Sequence, residues 1–137
     1  MNQPKPLSGY TVIDFSAVYA GPICARFLLD CGAEVIKIEP PGLGDLTRSV
    51  SGMTQAFAHF NAGKRSLAMD LKSGEGQDLA RSLVRKADIV IQNFRPGIMA
   101  KFGLDYDSLK AEQADLIYCS ISGFGQSGPW ADRAAFA

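Results

Sequence analysis

Three cations, Lys72, Arg95 and Lys101, stand on or just after short Gly-, Pro-, Ser-, Asn- and Asp-rich segments that follow apolar, strand-like runs. A cation in such a place either meets the phosphates of a nucleotide-like cofactor or is solvated surface charge. Ala17-Val18-Tyr19-Ala20-Gly21-Pro22 leads into a helical pattern. A helix N-terminus offers unpaired N–H groups and partial positive charge to a phosphate or an oxyanion. This first loop lacks the G-x-G-x-x-G spacing, which argues against an NAD-binding module. Asp14 and Asp70 close two strand-like runs, where a carboxylate either serves a site or caps the next turn. His59, the sole histidine, has no Ser, Cys or carboxylate at a catalytic spacing and reads as a packing or loop residue. No G-x-S-x-G elbow is present. Cys24, Cys31 and Cys119 lie in apolar segments without a C-x-x-C pair, so they read as small core hydrophobes and no metal site is expected.

The elements that must position these residues alternate between two periods. Tyr10–Phe15 is a strand candidate, followed by a helix whose apolar face is Ile23, Cys24, Phe27, Leu28 and Cys31 and whose stop is Gly32. Glu34–Glu39 is the second strand, closed by Pro40-Pro41-Gly42. A second round comprises a strand at Ser66–Leu71 and a helix at Glu75–Lys86. The stripe of that helix is Leu79, Ala80, Leu83, Val84 and Ala87, and a strand at Asp88–Gln92 follows. Short helices near Pro96–Phe102 and Tyr106–Gln113 precede a strand at Asp115–Ser120. Such alternation predicts an α/β fold: a Rossmann-like, mostly parallel sheet with flanking helices. Ligands of such sheets bind beyond the carboxyl ends of the strands. The candidate loops there are 16–22, 40–45, 70–74, 93–97 and 122–129. Gly42–Lys64 holds no clear period and reads as a long loop shaped by a ligand or partner, while Lys64-Arg65 precedes a strand and reads as structural.

Composition sets the outer limits. The 137 residues carry fourteen basic and fourteen acidic side chains, so nothing points to nucleic acid or an anionic membrane. No apolar run has the length of a membrane span, and three cysteines suit a reducing, cytoplasmic setting. Ala134–Ala137 reads as an element just beginning, with no stop signal, which predicts a chain continuing past Ala137.

Five segments, in order, resemble the class III CoA-transferase family, which includes formyl-CoA transferase, carnitine CoA-transferase and alpha-methylacyl-CoA racemase. They are Val12–Phe15 with Gly21-Pro22; Gly32–Gly42 with Gly44-Asp45; Asn61 with Lys64-Arg65-Ser66; Ala87–Ile89 with Asn93–Gly97; and Ser122–Pro129. The resemblance implies that residues 1–137 are the N-terminal part of a large CoA-binding domain in a two-domain enzyme that forms an interlocked homodimer. It implies coenzyme A or acyl-CoA, together with a carboxylic acid, as substrates. CoA contacts would fall at Val18, Tyr19, Met69, Asp70, Leu71, Lys72, Asn93, Phe94, Arg95 and Lys101. Pro40 stands where some transferases have a CoA-contacting arginine, and Tyr19 where formyl-CoA transferase has a glutamine. The attacking aspartate of the transferases would lie beyond Ala137. In the racemase branch a His-Asp pair falls where this sequence has Phe136 and Ala137. The alternatives are a racemase or other acyl-CoA enzyme of the same family, or a non-catalytic nucleotide- or CoA-binding module.

Overall fold

The computed structural model describes residues 4–135. Five strands form one sheet: β1 (Thr11–Asp14), β2 (Glu34–Glu39), β3 (Arg65–Ala68), β4 (Ile89–Gln92) and β5 (Ile117–Ser120). Their order is β3-β2-β1-β4-β5 and every pairing is parallel. The chain steps outward from β1 to β3, then returns to the other side of β1 to place β4. The switch point therefore lies between β1 and β4, where the loops leaving the two strands diverge.

The helices are α1 (Ala20–Asp30), α2 (Thr54–Asn61), α3 (Gly74–Val84), α4 (Ile98–Lys101) and α5 (Tyr106–Lys110), with a 3-10 turn at Leu46–Arg48. Alternation along each strand divides the core between two faces. Ile13, Ile38 and Val90 pack with Ala80, Val84, Leu104 and Leu109 on the face of α3 to α5. Val12, Val35, Ile89 and Ile91 pack with Ala25, Leu28 and Leu29 of α1 on the other.

Several local expectations need correction. The segment Gly42–Lys64 is not one long loop, because it holds the 3-10 turn and α2. Asp45 starts that turn by accepting the Thr47 N–H at 3.0 Å. Helix α1 docks through Gly21, Pro22 and Ala25, with Leu28 and Leu29 half-buried. A stripe of small residues lets its backbone approach the sheet, which turns Phe27 outward to 68% exposure. Cys31 is exposed at the helix end, so it is no core residue, whereas Cys24 and Cys119 pack against the α1-side core. Leu79 is likewise exposed, outside the buried stripe of α3. Strand β3 ends at Ala68 rather than Leu71, because the Asp70 carboxylate accepts the Lys72 N–H and turns the chain. Helix α5 stops at Lys110, short of Gln113, and β5 starts at Ile117 rather than Asp115.

Candidate functional site at the carboxyl edge of the sheet

On the α1 face the sheet changes character along its strands. Apolar Val12 and Val35 give way, two residues on, to Asp14 and Lys37, and then to Glu39. All three charged residues are buried. The amino half of this face is therefore core, and the carboxyl half is a buried ionic floor beneath the loops.

Each charge in that floor has a partner. Lys64 Nζ donates to Asp14 Oδ2, to the Pro22 carbonyl and to Asn61 Oδ1, each at 2.9 Å. One ammonium thus joins the end of β1, the start of α1 and the end of α2. Burial pulls the Lys64 ammonium below its ordinary value, against the opposing pull of Asp14. Lys37 Nζ donates to the Ser16 carbonyl at 2.7 Å and lies 2.9 Å from Asp45 Oδ2. Burial acts to raise the Asp45 carboxyl. The Thr47 amide, Lys37 and the Thr47 hydroxyl outweigh it and hold that carboxyl below the ordinary range. Glu39 accepts two bonds from Arg48, at 2.8 and 2.7 Å, and one each from the Asp45 N–H and the Ser66 hydroxyl. Burial again acts upward there, and these donors bring the Glu39 carboxyl down to about 2. Lys64 is structural, as its sequence position suggests.

The ionic floor pins the loop after β1. Asp14 accepts from the Ser16 N–H and hydroxyl, so it caps this turn. Asn93, leaving β4, accepts the Ala17 N–H at 2.9 Å and donates to the Ala17 carbonyl at 2.7 Å. The side chain of Asn93 is thereby committed to bridging the switch point. Gly21 makes the close approach possible, since a Cβ there would sit 2.1 Å from Ser16 Cβ.

Two clefts flank this pinned loop. One, of about 220 Å³, lies between the loops after β1, β2 and β3 and includes Lys37, Pro40, Met69, Asp70, Leu71 and Lys72. The other, of about 420 Å³, lies between the loops after β1, β4 and β5 and includes Val18, Tyr19, Asn93 and Ser122. Ala17 and Phe94 line both. Eight of the ten expected contact residues therefore meet at these two clefts. Met69 is 4% exposed and contributes chiefly as core. Arg95 lines a third cleft with Tyr106 and Tyr118, and Lys101 lines none of the three. Lys72, Arg95 and Lys101 make no ion pair among the described residues. His59 is exposed on α2, with its ring against Phe60. The G-x-G-x-x-G spacing does occur at Gly123, Gly125 and Gly128, after β5. No helix follows it among the described residues, so it does not form a helix-capped phosphate turn. Phe136 and Ala137, where the racemase pair would fall, lie outside the described residues. No group of acidic, His and Cys side chains suited to a metal occurs among the described residues, and none of the described helices is long and apolar enough to cross a membrane.

What the sequence did not bring out is the ionic floor. The available signal was Lys37-Ile38-Glu39, two charges placed by strand period on one face of a strand between two others.

Comparison with known proteins agrees with this architecture. The chain is 49% identical to the succinate–glutarate CoA-transferase of Agrobacterium fabrum, over 98% of this chain and 36% of that protein. It is 43% identical to the acetyl-CoA:oxalate CoA-transferase of Acetobacter aceti, again over 98% of this chain and 36% of that protein. The crystal structure of a CaiB/BaiF family protein from Brucella suis superposes with a TM-score of 0.91 at 46% identity, covering 98% of this chain and 38% of that one. The chain thus spans about a third of the length of the curated relatives it matches. The family model described as CoA-transferase family III matches residues 7–137, and the chain belongs to that family.

Proposed function

We propose that this chain is the CoA-binding portion of an enzyme that moves CoA between carboxylic acids, with the ligand lying along the carboxyl edge of the sheet. The observation that carries the proposal is the pair of clefts sharing Ala17 and Phe94, on a chain whose family relatives are named as CoA-transferases. Phosphates and apolar surface are both provided for. Lys72 and Arg95, on the loops after β3 and β4, make no ion pair among the described residues, and Phe94 gives an apolar wall to either cleft. The N-terminal turn of α1 follows Val18 and Tyr19 directly, and the family resemblance, which puts Tyr19 at the position of a glutamine near the reacting carbonyl, assigns the acyl end of the thioester to this cleft.

In the chemistry the family resemblance implies, an aspartate carboxylate attacks the thioester carbonyl and expels CoA thiolate. The thiolate then attacks the resulting anhydride, giving an aspartyl-CoA thioester and the free acid, and the acceptor acid completes the exchange. That aspartate belongs to the two thirds of a relative's length that this chain does not span. The role of the present residues is to bind, orient and exclude water. An interlocked homodimer in the cytoplasm is the assembly that goes with this reading.

The test is calorimetric titration of the protein with CoA, with adenosine as the comparison. Micromolar binding of CoA that weakens strongly for adenosine supports the proposal. Equal affinity for the two ligands, or no binding by the folded protein, contradicts it.

A further inference from the structure

Val18 is the one non-glycine residue among those described with a left-handed backbone, at φ 71°. A β-branched side chain in that region is a strained conformation that persists only when its surroundings over-determine it. The surroundings here are side chains. The Val18 N–H is shared between the two Asp45 carboxylate oxygens, at 3.3 and 3.2 Å. On the preceding residues, Asn93 holds both backbone groups of Ala17 and Lys37 holds the Ser16 carbonyl. Asp45 and Lys37 have side-chain exposures of 0% and 1%, and they are paired with each other. The carboxylate is fixed in turn by the Thr47 N–H and hydroxyl.

We infer that Asp45, with Lys37, is a positioning residue: the buried pair holds Val18 left-handed and so sets where Tyr19 and the first turn of α1 stand in the larger cleft. Neither side chain needs to touch ligand for this. Val18 and Tyr19 line that cleft, whereas Asp45 and Lys37 border only the smaller one. Strain stored at Val18 is released when the tether is cut, and the residue then relaxes toward negative φ. That rotation redirects the chain immediately before the helix and misplaces the cleft wall. The cost should appear as about a tenfold loss of ligand affinity, the ratio that a single left-handed, β-branched residue corresponds to.

The inference rests on the CoA reading for its ligand, so the test has two arms. Asp45→Ala alone would strand the Lys37 ammonium in the interior, so it is combined with Lys37→Met, which removes both charges. The first arm is amide hydrogen exchange, which needs no ligand. Exchange at Val18 should quicken by about tenfold or more, while the amides of β1 and β4 keep their protection. The second arm is CoA affinity, measured in the parent, in the charge-free pair, and in both with Val18→Gly added. Glycine adopts positive φ without a Cβ penalty. It should therefore recover part of the lost affinity in the charge-free background, a coupling that general loosening of the fold would not produce. Unchanged exchange at Val18 overturns the inference, and so does an absence of coupling between Val18→Gly and the charge-free pair. A parent protein that does not bind CoA defeats the functional reading instead, and the exchange arm still decides the tether. If the charge-free pair does not fold, Asp45→Asn with Lys37→Met takes its place: it strands no charge, keeps the Thr47 bonds through the remaining oxygen and turns an amide nitrogen toward the Val18 N–H.

Discussion

Replacing Lys64 by methionine isolates one buried ion pair of the ionic floor. The ammonium and the Asp14 carboxylate are 2% and 0% exposed, and the pair is 2.9 Å apart. Lys64→Met removes three hydrogen bonds and leaves Asp14 buried with only the Ser16 groups as donors. Breaking a buried pair from one side costs about 3–5 kcal/mol, because the stranded charge is uncompensated. For a domain of this size that is a fall in Tm of roughly 10–20 °C. The companion variant, Asp14→Asn with Lys64→Met, removes both charges and should recover most of the deficit, ending within about 2 kcal/mol of the parent. Urea unfolding of the three proteins at constant pH measures the free-energy changes, and thermal unfolding measures the Tm. A single variant within about 1 kcal/mol of the parent would refute the claim that the pair is buried and mutually dependent. So would a double variant no better than the single one.

Acid should weaken the fold through Glu39. Its folded carboxyl lies at about 2 against an ordinary 4.5, so its contribution is complete above about pH 4.5 and is lost as pH falls toward 2. The contribution is at most about 3 kcal/mol, reduced because Arg48 is partly exposed, and Arg48→Met should flatten the acid limb of the urea midpoint. Gly76→Ala would put a Cβ 2.0 Å from the Asp70 carbonyl at the start of α3, so it should cost about 1–3 kcal/mol in urea unfolding. Lys72→Ala and Arg95→Ala should each weaken CoA binding by roughly three- to tenfold in calorimetry and reduce its salt dependence, with little change in Tm.

Strand and helix types were legible wherever the pattern was long enough to repeat. Val12-Ile13 and Ile89–Ile91 are apolar on both faces, as strands covered on both sides must be, and the parallel order follows from the helices between them. Helix α2 leaves little pattern in the sequence because none of its apolar residues is fully buried; its one buried residue is the polar Asn61. The docking face of α1 is legible only in part: Cys24 and Leu28 pack on the core as expected, while Phe27 and Cys31 are exposed. Large apolar residues mark a stripe by hydrophobicity, yet close packing on a sheet selects small ones, here Gly21 and Ala25. Loop position singles out the segment Ala17–Pro22, Asp70 and Lys72, and the family resemblance adds Val18 and Tyr19; all of these border the two clefts except parts of the α1 turn. The side chains that hold those loops come from elsewhere in the chain: Asp45 reaches Val18, Asn93 reaches Ala17 and Lys64 reaches Asp14. Pairings over such separations leave no local pattern. A lysine such as Lys37 reads as surface charge until its partner is placed beside it.

The most direct test of the central claim is to add CoA to isotopically labelled protein and map the amide chemical shifts. If the ligand lies along the carboxyl edge, the largest changes fall at residues 17–20, 69–72 and 93–95, and the amino ends of β1 and β4 stay fixed. Changes concentrated at the amino edge, or scattered without a centre, would contradict it.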